Sequence, residues 1–143
     1  MQLVLIHTEQ GKIEQVVSTA DMEAYVAFLD INNIPHVVYD NTAQERFEVI
    51  NNKMYVDIAD NNIVKNKSDL EIPENKVVQT GSDFIIPNVP SGTLVYMESA
   101  EYIINDGEIR ISTDEEKEID IFILSVPQFN DAHLTATFKD VLP

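Results

Sequence analysis

The sequence predicts a mainly β, α+β protein: an N-terminal β-hairpin plus one helix and a second hairpin, followed by a small antiparallel β-sandwich-like domain. Three observations carry this. From Pro87 to Phe138, apolar or alternating runs are separated by Pro90-Ser91-Gly92, Asn105-Asp106-Gly107 and Asp114-Glu115-Glu116-Lys117, the punctuation of antiparallel strands joined by tight turns. Only one segment changes to a helical period. A length of 143 residues with 44% hydrophobic content suits a folded chain of one domain, or of two small ones.

In order along the chain, Leu3-Val4-Leu5-Ile6 and Ile13-Glu14-Gln15-Val16-Val17 flank Glu9-Gln10-Gly11-Lys12. Gly11 can supply the positive φ of a tight turn, so this is the opening hairpin. Met22, Tyr25, Val26 and Leu29 then follow the i, i+3, i+4, i+7 rule, with Ser18 or Thr19 as N-cap and Asp21 near the positive end. That helix should stop around Asn32-Asn33, because Pro35 disfavours helical geometry in Ile34. His36-Val37-Val38-Tyr39 resumes as a strand. Arg46 to Ile50 and Lys53 to Ile58 should form the second hairpin across Asn51-Asn52, since Asn tolerates the left-handed conformation.

The polar stretch from Asp60 to Asn75 is expected to hold the division between an N-terminal α+β domain, 1–75, and a C-terminal antiparallel β domain, 76–143. In the second part Val77-Val78, Phe84-Ile85-Ile86, Leu94 to Met97, Tyr102-Ile103-Ile104, Ile109-Arg110-Ile111, Ile119 to Val126 and Leu134 to Phe138 are strand candidates. Ile109 and Ile111 alternate with Arg110, and Leu134, Ala136 and Phe138 with Thr135 and Thr137, so each strand has one buried and one wet face. The run Ile119-Asp120-Ile121-Phe122-Ile123-Leu124 starts by alternating and becomes continuously apolar. Its far end is expected to be covered on both sides, by the helix or by another copy of the chain.

The net charge of −16, from 25 acidic against 9 basic residues, opposes a phosphate backbone and argues against nucleic-acid binding. With no cysteine there is no disulfide framework and no thiolate metal site. Residues 1–7 lack a basic, long apolar leader, and no apolar run reaches the roughly 20 residues of a membrane span, so a soluble chain without a signal peptide is expected.

Candidate chemistry is thin. Asp57-x-x-Asp60-Asn61-Asn62 offers oxygen ligands but lacks the glycine and the twelfth-position glutamate of a helix–loop–helix calcium loop, so turn-forming Asx residues account for it. Asp114 to Glu118 reads as a solvated loop. His7, His36 and His133 fall at no metal-ligand spacing and are expected at strand ends or on the surface. Tyr39, Tyr55, Tyr96, Tyr102, Phe122 and Phe129 could line a sugar-binding face, but alternating aromatics in strands more often pair within a core. No catalytic residue, cofactor site or metal site is assigned.

Several short motifs carry a resemblance. Val89-Pro90-Ser91-Gly92-Thr93-Leu94-Val95, Ile104-Asn105-Asp106-Gly107-Glu108-Ile109-Arg110-Ile111, Ile119-Asp120-Ile121 and Val126-Pro127-Gln128-Phe129-Asn130-Asp131-Ala132 resemble a pattern in small tailed-phage and prophage proteins. These have a leu-pro-ala-gly-thr turn, a thr-asp-gly-glu-leu lead into a strand, and a pro-tyr-leu-asp-ala-glu ending. Met1 to Leu5 with Gln10-Gly11-Lys12-Ile13 is similar to their N-terminal hairpin, and Lys53 to Asp57 to their central strand. The chain departs at Gln128-Phe129, where an aromatic directly after proline is usual, and at Asp114 to Lys117, which replaces a gly-x-tyr element.

The resemblance implies a non-enzymatic virion protein, associated with tail, connector or fibre, assembled in the bacterial cytoplasm and oligomeric in the particle. Its partners would be other virion subunits or a tail fibre. The interface candidates are Ile119, Ile121, Phe122, Ile123, Leu124 and Phe129. An assembly chaperone for a fibre is the alternative in the same biology. Outside it stand a carboxylate-based hydrolase and an acidic inhibitor that imitates nucleic acid.

Overall fold

A computed structural model describes residues 1–140 and is mostly β, with two helices and several small sheets. The chain divides into two compact units, Met1–Lys67 and Ser68 onward, where the sequence placed the division after Asn75. No helix among the described residues is long and apolar enough to cross a membrane.

In the first unit, β1 (Gln2–His7) lies between β2 (Ile13–Val17) and β3 (His36–Asp40), antiparallel to both. Leu3, Val4 and Leu5 are all fully buried, so both faces of this central strand are covered, which explains an apolar run without alternation. Helix α1 (Met22–Ile31) presents the expected stripe and buries Leu29. Its cap is Asp21 and not Ser18 or Thr19: the carboxylate accepts from the Ala24 N–H at 3.1 Å, while Thr19 Oγ1 accepts from the Asp21 N–H. The helix ends at Asn32, with Asn33 left-handed at φ 54° and the Ile34 N–H donating back to the Leu29 carbonyl.

The second hairpin is not the one expected from Asn51-Asn52. Phe47–Lys53 is a helix, α2, and the following strand β4 (Met54–Asp57) pairs with β5 (Ile63–Asn66) instead. Packing decides this: as a helix the segment places Ile50, fully buried, beside Leu3, Leu5, Ile13 and Val56 in the core of the unit. The asparagines that turn the chain are Asn61 and Asn62, both left-handed, in the β4–β5 loop.

Gly11 fixes the approach of the first hairpin to β4. Its carbonyl accepts from the Val56 N–H at 2.9 Å, its φ is +97°, and a Cβ placed on it would lie 2.0 Å from the Val56 carbonyl oxygen.

In the second unit, five strands are ordered β6-β12-β11-β8-β9: β6 (Val77–Gln79), β8 (Thr93–Met97), β9 (Ala100–Ile104), β11 (Lys117–Leu124) and β12 (Ala132–Lys139). A two-stranded sheet, β7 (Phe84–Ile86) with β10 (Ile109–Ile111), shares their core. That gives the sandwich-like layering. One edge departs from the all-antiparallel expectation, because β6 runs parallel to β12. Phe84, Ile86, Ile109 and Ile111 of the small sheet pack in one cluster with Ile119, Ile121, Ile123, Leu134, Ala136 and Phe138 of the large one.

Replacing Gly11 with alanine is expected to destabilise the first unit by about 3 kcal/mol or more, from the contact with Val56 and the strained φ together. Urea denaturation of wild type and variant, followed by a probe in the first unit, checks it; a change under about 1 kcal/mol would contradict this reading of the turn.

Candidate functional site

The strand at the centre of the five-stranded sheet generates an exposed apolar surface on the second unit. Side chains on a strand alternate between faces, so Ile119, Ile121 and Ile123 of β11 enter the core while Glu118, Asp120, Phe122 and Leu124 point outward. Phe122 is 47% exposed and Leu124 44%. The register sets Phe122 beside Tyr96 on β8 and His133 on β12, and Leu124 beside Leu94, whose partner on β9 is Ile103, 61% exposed. The result is a contiguous apolar and aromatic patch on the solvent side of the sheet.

Two rings in this patch are already stacked. Phe122 and His133 lie with centroids 4.1 Å apart and planes 4° from parallel, and His133 Nε2 stands 3.9 Å from Asp120 Oδ1. Asp120 Oδ1 also accepts from the Thr135 hydroxyl at 2.6 Å. These contacts hold the ring and the carboxylate in place; the stack covers one face of the Phe122 ring, and Phe122 and Asp120 both remain exposed.

At one end the patch deepens into a groove of about 630 Å³, lined by Tyr96, Phe122, Glu98, Glu101, Glu118 and Asp120 among others. The β8–β9 turn builds its wall. Met97 pairs with Ala100 across a two-residue turn in which Glu98 and Ser99 are both left-handed, at φ 49° and 62°, the conformation of a type I′ hairpin normally given to Asn and Gly. Glu98 is held by Lys117 at 2.8 Å, and this hydrogen bond, ahead of the attraction of Glu98 and Glu115, raises the lysine pKa above its ordinary value. Glu101 and Glu118 take no ion pair among the described residues.

The expected interface residues therefore separate. Phe122 and Leu124 are on the surface. Ile119, Ile121 and Ile123 are core residues with no surface to offer, and Phe129 is half-buried, packed against the same core. The far end of β11 is not covered on both sides by its own chain, since Phe122 and Leu124 keep nearly half their surface in solvent. The sequence reading missed Leu94, Ile103 and His133, because only the register brings them beside Phe122 and Leu124. Of the candidate sugar-face aromatics, Tyr96 and Phe122 alone form a cross-strand pair on this face, and Tyr55 is buried and Tyr39 half-buried in the first unit's core.

The remaining candidates resolve into structural roles. Asp57 and Asp60 both bind Lys65 Nζ, at 2.8 and 2.7 Å, with Asn61 and Asn62 making the turn between. His7 Nδ1 lies 2.7 Å from the Thr8 carbonyl at the end of β1, and His36 Nδ1 lies 2.8 Å from the Ile34 carbonyl at the start of β3. Among the described residues no group of three or more His, Cys, Asp or Glu side chains is placed to hold a metal ion. In the acidic loop, Glu116 accepts from the Asp140 N–H and Thr113 Oγ1 from the Glu115 N–H.

No protein-family model, curated protein or solved structure matches this chain.

The hydrogen bond from Lys65 holds the Asp57 carboxyl below its ordinary 3.8, and the two carboxylates hold the Lys65 ammonium above its ordinary 10.5. A lowered carboxylate stabilises the fold above its unfolded pKa, and that stabilisation disappears as pH falls through the folded value; a raised ammonium stabilises below 10.5 and loses its contribution at higher pH. The Tm difference between wild type and Lys65→Met should accordingly be present between about pH 4 and pH 10 and shrink below pH 3.8. A Tm difference unchanged through the acid range would contradict the pairing.

Proposed function

We propose that this chain is a non-enzymatic attachment protein of a tailed-phage particle, binding other virion subunits or a tail fibre through the solvent face of its five-stranded sheet. The observation that supports an attachment role is the patch of Leu94, Tyr96, Ile103, Phe122 and Leu124 on one sheet face. Isolated apolar side chains on a surface need no explanation, but a contiguous set on a regular sheet face is the form a protein interface takes. The particle setting is supported by the motifs of the second unit, Val89 to Val95, Ile104 to Ile111 and Val126 to Ala132, which resemble those of small phage proteins.

The strong negative charge suits such a role. Mutual repulsion at −16 keeps the free subunit dispersed until a complementary surface is offered. The same surface would serve an assembly chaperone, which masks a fibre and then leaves. The two differ in where the protein ends up.

Mass spectrometry of particles purified from a host carrying the gene separates them: stoichiometric copies support a virion component, and recovery only with fibre from the lysate supports the chaperone. Phe122→Glu with Leu124→Ser should lower incorporation or fibre binding by at least about tenfold while circular dichroism and Tm stay close to wild type, since both side chains are outside the core. Full incorporation of that variant would refute this face as the attachment surface.

A further inference from the structure

Resting on the attachment reading above, we infer that the groove between the β8–β9 turn and β11 receives a cationic segment of the partner protein, with an arginine or lysine side chain over the rings of Tyr96 and Phe122 and its charge against Glu101, Glu118 and Asp120. Charge and shape select this occupant. The register makes Tyr96 and Phe122 cross-strand neighbours that both line the groove, with one face of the Phe122 ring stacked on His133, and sets Glu101 next to Tyr96 in the same cross-strand row. An aromatic face with carboxylates at its rim attracts a guanidinium twice, through the ring quadrupole and through charge-assisted hydrogen bonds.

The basic residues beside the groove do not satisfy this demand. Lys117 is engaged with Glu98 at 2.8 Å and His133 stands 3.9 Å from Asp120, so Glu101 and Glu118 keep their charge open to an incoming cation. Other occupants fit less well. A second copy of this chain brings another −16 and repels, and a nucleic acid does the same through its phosphates. A neutral sugar could stack on Tyr96 and Phe122, but it would leave the concentration of carboxylates without a counter-charge. A cation uses both features together. Arginine is favoured over lysine because its planar fork can stack and bridge two acids at once.

The test uses the full chain and a short fluorescent peptide of alternating arginine and valine, read by anisotropy at physiological salt. Glu101→Gln/Glu118→Gln/Asp120→Asn should weaken binding by about tenfold, and Tyr96→Ala by a similar factor. Glu9→Gln/Glu14→Gln/Glu23→Gln, which removes as much charge from exposed positions in the first unit, should change it by less than about twofold. Equal losses in the two triple variants would reduce the binding to bulk electrostatics and overturn the inference. So would equal affinity for a peptide with serine in place of arginine, or saturable binding of a neutral oligosaccharide that Tyr96→Ala abolishes. If the arginine peptide fails to bind while Phe122→Glu with Leu124→Ser still blocks incorporation into particles, the attachment face stands and the cationic occupant falls. If that surface variant incorporates normally, it is the attachment reading that has failed.

Discussion

The antiparallel ladder between β11 and β12 pairs Ile119 with Ala136, Ile121 with Leu134 and Ile123 with Ala132, and sends Asp120, Phe122 and His133 to the opposite side. Because the period of a strand is two, this register decides core and surface in one stroke. A slip by one residue would expose three isoleucines and bury a carboxylate. The small sheet formed by β7 and β10 closes over the isoleucine side, so the other side is left exposed to solvent by the same constraint. Fold and candidate site in the second unit thus have a single physical origin.

The first unit rests on a different constraint, the lack of a side chain at Gly11. The Gly11 carbonyl and the Val56 N–H meet at a distance that leaves no room for a Cβ, and β4 then delivers Val56 into the core beside Ile50. Here a backbone contact positions the apolar residues, whereas in the second unit the apolar pattern positions the backbone. The Lys65 clasp on Asp57 and Asp60 closes the β4–β5 loop and gives the apparent oxygen-ligand cluster a structural occupant.

Much of this was legible in the residues. Strict alternation marks β10 and β12, Gly11 and Asn61-Asn62 lie in turns, and the four-residue stripe from Met22 to Leu29 marks α1. What could not be read were features fixed at a distance. Phe47 to Ile50 is too short for its period to separate helix from strand, and only the core beneath β1 makes it helical. Glu98-Ser99 carries no turn signature, yet the pairing of Thr93–Met97 with Ala100–Ile104 forces both residues left-handed. The continuous apolar end of β11 suggested burial on both faces, because a one-dimensional pattern cannot distinguish a strand covered twice from one that presents Phe122 and Leu124 to solvent. Parallel addition of β6 to β12 likewise leaves no mark in a three-residue strand.

The central claim is that β11 divides its side chains between a sealed core and an open, solvent-exposed face. Because the chain contains no cysteine, single cysteines introduced at positions 121, 122, 123 and 124 report on this without background. Thiol labelling of the native protein should be fast for Phe122→Cys and Leu124→Cys, near the rate in denaturant, and slower by at least about a hundredfold for Ile121→Cys and Ile123→Cys, whose positions open only when the fold does. Similar rates at all four positions, or protection at 122 and 124 in the isolated protein, would contradict the division of faces on which the account depends.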